Sequence, residues 1–220
     1  MEDVQKYLKP TYFFDYENEV VQRFVKKWVK DEMTPKEKAI AIYHGVRDGW
    51  FYNAYKIYIT KDKWRVSDMM QRETGHCIDK AAMMITCCRA AGVPARLFLA
   101  KIKNHIGVER LIEALGTDEL SPHGSVEVYL DGKWVKATPA FNQSLCDKLG
   151  VATLEFNGEE DSLFQEYDKS GGVFMEYLEE YGHFEDLPIG FMFENMRQTY
   201  PKVAEMYRKI EHPKELFEYM

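Results

Sequence analysis

The sequence predicts an α+β chain in which a buried helix packs on antiparallel strands. Two observations carry that expectation. The run Cys77 to Ala91 is rich in Ala and Met, as a buried helix is, and Gly92-Val93-Pro94 stops it through a C-cap glycine and a following proline. Gly124 to Leu130 and Lys133 to Thr138 are alternating runs separated by Asp131-Gly132, a pair that supplies the positive φ of a two-residue hairpin turn.

The remaining elements follow in chain order. Glu17 to Val29 reads as a helix, with Val20, Val21, Phe24, Val25 and Trp28 on one face. Thr34-Pro35-Lys36-Glu37 is a helix start: Thr as N-cap, Pro in the first turn, Glu at the capping-box position. That helix runs to about Gly49. Trp50 to Ile59 is aromatic and irregular, and Ser67 to Met70 is a short helical turn. Ala95 to Ile102 reads as a strand. Lys103 to Leu120 is a polar excursion with a short helix at Val108 to Leu115, and Ser121-Pro122-His123 opens the first hairpin strand. After Asn142 the chain turns acidic and aromatic, and Glu155 to Tyr181 is expected as a packed layer around the core. Gly171-Gly172 breaks it. Pro188 to Met206 reads as a helix that Pro201 kinks or ends.

With 220 residues, 45% hydrophobic and 30% charged, the chain suits one globular domain with a real core. Lys+Arg 29 against Asp+Glu 36 leaves a net charge of -7, which excludes a general nucleic-acid binder with a basic face. Met1 to Pro10 is polar and unlike a signal peptide, and no apolar run approaches the roughly 20 residues that span a bilayer. A cytoplasmic protein without a membrane partner is the expectation. The 4 cysteines form no CxxC pair, so a zinc ribbon or thioredoxin motif is not expected, and free thiols fit a reducing compartment.

Chemistry concentrates in Thr74-Gly75-His76-Cys77-Ile78-Asp79-Lys80-Ala81. A thiol at a helix start feels the partial positive charge there, which favours thiolate. His123, at a strand start, can take the thiol proton and return it to a leaving group. If Asp131-Gly132 is the loop, Glu127 faces Lys136, Ser125 faces Thr138, and His123 faces Ala140. Thr138 and Asn142 then share the face of His123 on either side of its partner, and either could orient the imidazole. That face also carries Glu127 and Lys136, so it is expected to be partly open, with Val126, Val128 and Val135 in the core. His76 is expected to shape the turn and Asp79 to sit in the first helical turn, where it opposes thiolate. The backbone N–H of Cys77 is the first candidate oxyanion donor, with Tyr52, Tyr55 or Gln71 as the second. Cys87 and Cys88 are read as inert core residues. Glu159-Glu160-Asp161 is a solvated charge run, and neither metal nor organic cofactor is expected.

Three segments together resemble the transglutaminase-like superfamily: Gly75 to Ala81, then Arg89-Ala90-Ala91-Gly92-Val93-Pro94-Ala95-Arg96, then His123 with Glu127 to Trp134. The resemblance spans about Val46 to Asn142. It implies a papain-like core about residues 34–142 within a single domain of 220 residues, flanked by a helical segment 1–33 and an acidic-aromatic extension 143–220. It also implies Cys77 as nucleophile and His123 as base. The family usually carries an Asp just before a Pro after the hairpin tryptophan; here Thr138 stands at that place, before Pro139. Thr can accept an imidazole N–H bond but brings no charge, and Asn142 is the second candidate by the logic of a Cys-His-Asn site. The implied chemistry is acyl transfer on a peptide or protein amide through a thioester. Hydrolysis is favoured over cross-linking, and a non-catalytic binding module on the same fold is the alternative.

Overall fold

The computed structural model describes residues 3–58, 60–105, 108–163, 172–202 and 205. After a 3-10 turn at Val4–Leu8 come α1 (Glu19–Trp28), α2 (Pro35–Gly49), a two-residue strand β1 (Phe51–Tyr52) and a 3-10 turn at Lys61–Trp64. Then follow α3 (Val66–Met69), β2 (Thr74–Gly75), α4 (Cys77–Ala90), β3 (Ala95–Asn104), α5 (Glu109–Leu115), β4 (Glu119–Leu130) and β5 (Lys133–Ala137). The last elements are α6 (Gln143–Leu149), β6 (Met175–Phe184) and α7 (Ile189–Thr199).

Helix starts are where the sequence places them. Thr34 Oγ1 accepts the Glu37 N–H at 3.3 Å, and the Glu37 carboxylate accepts the Thr34 N–H at 2.8 Å. This reciprocal cap satisfies donors that a helix start leaves open. Helix α4 is buried on every side: Ala81, Ala82, Met83, Met84, Ile85, Cys87 and Cys88 are all fully buried. A helix of that kind belongs inside a protein. Helices α1 and α2 lie on one flank, and the sheet lies on the other. Arg89 locks its C-terminal end by donating to the carbonyls of Ala95, Lys9 and Glu185.

The main sheet has the order β5-β4-β3-β6, and every pairing is antiparallel. The hairpin register is the expected one, with Leu130 opposite Lys133 and Glu127 opposite Lys136. Asp131 (φ 50) and Gly132 (φ 85) carry the turn. The ladder ends at Val126–Ala137, so His123 has no partner at Ala140 as the sequence register implied. The Thr138 N–H bonds Ser162 O at 2.9 Å instead, and Pro139 has no N–H to continue the ladder.

On one face Leu97 and Leu99 of β3 lie opposite Val126 and Gly124 of β4, toward α4. The opposite face, expected to be partly open, is buried: His123, Ser125, Glu127 and Thr138 are all below one-tenth exposed. The cause is local pairing. Arg96 forms an ion pair with Glu127, and its guanidinium lies 4.0 Å from the Trp134 ring centre.

Strand β6 and helix α6 are additions to the expected elements. Part of the acidic-aromatic stretch expected as a packed layer, residues 164–171, lies outside the described residues, and its end joins the sheet as an edge strand. The exposed Glu176, Glu179 and Glu180 suit an edge that must not pair further. The predicted break at Gly171-Gly172 and the end of the Pro188 to Met206 helix lie partly outside the described residues. Among the described residues no helix is long and apolar enough to cross a membrane.

One buried cation ties these parts together. Lys80 is fully buried, and its Nζ donates to Arg47 O (2.7 Å), Trp50 O (2.9 Å) and Ala140 O (2.7 Å). Burial draws its pKa down to about 7. Three acceptors, however, need three N–H groups, which only the ammonium form has. Lys80→Met removes those donors and strands three buried carbonyls; urea unfolding is expected to register a loss of about 3 kcal/mol or more.

Candidate active site

The chain enters α4 through His76, whose side chain replaces the usual Ser or Thr cap. His76 Nδ1 accepts the N–H of Ile78 (3.1 Å) and of Asp79 (3.2 Å), and Asp79 Oδ2 accepts the His76 N–H at 3.1 Å. A ring nitrogen that accepts cannot carry a proton, so His76 is neutral with its proton on Nε2. Burial, the largest influence, holds its pKa below the usual histidine range. His76 is therefore the helix cap and not the base for its neighbour. Asp79 is held at the cap with the Arg72 guanidinium 3.6 Å away.

Cys77 is the first residue of α4 and is 7% exposed. Its thiol borders a small cavity, about 40 Å³, walled by Tyr52, Trp64, Ser121, Pro122, Met196 and Tyr200. The backbone N–H groups of Gly124 and Ile78 favour the thiolate, as the helix start predicts. Burial opposes them more strongly, Asp79 adds to it, and the thiol is pushed up to about 11. At neutral pH Cys77 is a neutral thiol.

His123 lies one residue from the Gly124 amide that meets this sulfur. Its ring is 3% exposed, in a pocket walled by Thr138, Ala140, Phe141, Leu154, Leu163 and Met175. Neither ring nitrogen has a hydrogen-bond partner among the described residues, so no bond joins it to Cys77. Burial first, and the neighbouring His76 second, lower its pKa to about 4.

The two expected orienters are occupied elsewhere. Thr138 walls the imidazole pocket, but its Oγ1 shares a 2.8 Å hydrogen bond with Ser125 Oγ. Asn142 Oδ1 accepts the Tyr52 N–H at 3.0 Å, and its Nδ2 donates to Ser144 Oγ at 2.8 Å. Asn142 thus pins β1 at the mouth of the cavity rather than the imidazole.

Of the candidate oxyanion donors, Tyr52 borders the cavity. Gln71 donates to Ser67 O, and Tyr55 lies in a neighbouring cleft. Tyr200, which no sequence pattern singled out, also borders it. Its hydroxyl accepts the Ser121 N–H at 2.6 Å, which leaves the phenol proton to donate. Burial raises the pKa of both phenols, so both are protonated donors. Tyr52, Ala54 and Leu120 also line the larger cleft of about 440 Å³ next to this cavity. Among the described residues no three His, Cys, Asp or Glu side chains gather as a metal site.

The family model of the transglutaminase-like superfamily matches residues 22–139, more than half of the 220-residue chain. The chain belongs to this superfamily. Its fold is similar to the crystal structure of a candidate cysteine protease from Cytophaga hutchinsonii, with a TM-score of 0.52 and 17% identity. The match covers 84% of this chain and 48% of that one, so the chain spans about half the length of its structural relative. At that identity the likeness shows the fold alone. No curated protein matches the chain. Within the superfamily, Cys77 and His123 occupy the positions where the sequence resemblance expects nucleophile and base.

A buried imidazole without partners costs folding free energy, about 1–3 kcal/mol for a stranded polar group. Both His123 and His76 have folded-state pKa values below the usual 6.5. The unfolded chain therefore binds more protons on acidification, and stability is lost as pH falls from about 6.5 toward 4. His123→Leu is expected to leave the urea midpoint at pH 7 unchanged or raise stability by about 1 kcal/mol. It should also lose less stability than the parent between pH 7 and pH 5. A large loss at pH 7 would mean that the ring is bonded in solution.

Proposed function

We propose that this chain is a cysteine acyl-transfer enzyme that hydrolyses amide bonds of peptide or protein substrates. The observation that carries this reading is the juxtaposition at Gly124. Gly124 lies so near the first turn of the Cys77 helix that a Cβ there would sit 2.9 Å from Ile78 Cα, and the residue before it carries a buried imidazole without a hydrogen-bond partner among the described residues. Buried polar groups without partners are rare and concentrate where chemistry needs them.

The step sequence uses the neutral pair. As Cys77 Sγ attacks the substrate carbonyl, the His123 imidazole takes the thiol proton. The imidazole has no hydrogen-bond partner among the described residues, so no existing bond has to break before it takes up the sulfur's proton; catalytic hydrogen bonds commonly tighten only in the complex. The carbonyl oxygen, now negative, receives the Cys77 backbone N–H and a phenol O–H from Tyr52 or Tyr200. Collapse breaks the C–N bond, and the imidazolium gives its proton to the departing amine. Water then attacks the thioester while His123 accepts one of its protons, and carboxylic acid and thiol are regenerated. Water as the acceptor is favoured by the small cavity beside Cys77, which has room for water rather than for an amine side chain.

A second reading, a non-catalytic binding module, draws on Thr138. The usual family carboxylate is missing, and the Thr138 hydroxyl is bonded to Ser125 rather than to the ring. One experiment separates the two. The parent protein is treated with p-nitrophenyl acetate and analysed by intact and peptide mass spectrometry, with Cys77→Ala as the blank. The enzyme reading expects a burst of p-nitrophenol and an acetyl group on Cys77. His123→Ala should slow acylation by about 100-fold or more. Absence of the Cys77 adduct would leave the binding module standing.

A further inference from the structure

The cleft of about 440 Å³ beside the Cys77 cavity has the size of a ligand site and shares Tyr52, Ala54 and Leu120 with it. Its floor is apolar, built from Leu111 of α5, Leu120, Phe141, and Leu145 and Leu149 of α6. Leu111, Leu120 and Phe141 are buried, while Leu145 and Leu149 remain half-buried. Two cations stand on the rim, Arg110 from α5 and Lys148 from α6, with Glu109 as the one acidic residue of the lining. Arg110 and Lys148 are exposed, and neither forms an ion pair with a described residue. In a chain of net charge -7, two cations on the walls of one apolar cleft, neither paired with a described residue, are a local reversal of sign.

We infer that this cleft is the substrate-binding site for a peptide segment flanking the scissile amide, taking a large aliphatic or aromatic side chain followed by an acidic residue. The inference rests on the proposed function, because continuity with the Cys77 cavity is what makes the occupant a substrate. The apolar side chain removes the Leu145 and Leu149 surfaces from water. The carboxylate lies between Arg110 and Lys148, where the guanidinium can bind it through two parallel N–H groups. Exposed charges are individually weak, so the acidic residue acts as a discriminator and the apolar residue as the anchor. Aspartate or glutamate gains at this rim what lysine or arginine loses by like-charge repulsion.

The test is binding to the Cys77→Ala protein by fluorescence polarisation at low and high salt. The probes are labelled, end-blocked peptides with Phe or Leu followed by Glu, by Gln or by Lys. The expected order is Glu, then Gln, then Lys. Between Glu and Lys the difference should be about tenfold or more at low salt and should shrink as salt rises. Adding Arg110→Glu and Lys148→Glu should invert the order. Leu145→Asp should weaken all three peptides together. Equal binding of the Glu and Lys peptides, an order that survives the charge reversal, or no peptide binding would each overturn the inference. Acylation of the parent protein's Cys77 by p-nitrophenyl acetate is followed alongside, because that ester carries neither the large side chain nor the carboxylate that the cleft is inferred to read. Failure of that reaction in the parent protein would strike the proposed function; failure of the peptide order with acylation intact strikes the cleft alone.

Discussion

The close approach of β4 to the first turn of α4 is the constraint on which the site depends. A Cβ at Gly124 would lie 2.8 Å from Ile78 Cγ1 and 2.9 Å from Ile78 Cα. The second contact is backbone and cannot swing aside. Only glycine lets the strand lie this near, and the approach sets Gly124 against the residue that follows Cys77, with His123 one residue away. Lys80 holds the same turn of α4 to the end of α2 and to Ala140. Strand, helix and hairpin exit are thus fixed relative to one another by one missing side chain and one buried ammonium.

That tightness sets the electrostatics. A helix N-terminus and the backbone N–H groups of Gly124, Ile78 and Cys77 draw the thiol toward ionisation, and the desolvation of the buried sulfur draws it further the other way. The same burial keeps both His76 and His123 neutral. The resting pair is accordingly thiol and imidazole, without the charge separation often associated with activated cysteines. In the mechanism we propose, proton transfer accompanies attack, and a carboxylate behind the imidazole would have less charge to stabilise before substrate arrives. Thr138 in the carboxylate position is compatible with that arrangement. Its hydroxyl serves the strand pair through Ser125 instead.

Local chemistry explains what could be read from the residues. The Thr34 capping box, the Asp131-Gly132 turn, the Ala- and Met-rich α4 and the glycine-proline stop after it are each set by neighbouring residues, and each is present. Motif order is what points to Cys77 and His123 as candidate nucleophile and base. Helix α6 has end signals as well, with Asn142 at its N-cap and Gly150 (φ 69) at its C-cap, but seven residues make too short a period to stand out. Strand β6 could not be read from its own residues because it exists by pairing with β3, over seventy positions earlier in the chain. The burial of the His123 face was hidden for the same reason: the Arg96–Glu127 pair and Trp134 cover a surface that looks polar in one dimension. Tyr200 reaches the cavity only because α7 packs beside β4, a tertiary fact with no spacing to announce it.

The pH profile of Cys77 alkylation tests the account most directly. Iodoacetamide rates at this residue are followed by peptide mass spectrometry from pH 5 to pH 10.5, in the parent and in His123→Ala, in the absence of substrate. A neutral buried thiol predicts rates that keep rising through pH 9, above the midpoint of about 8.5 for a free thiol, and nearly the same profile in the variant. A rate plateau already reached near pH 6 and abolished in His123→Ala would contradict it, because it would reveal a preformed thiolate–imidazolium pair that the burial of this site does not allow.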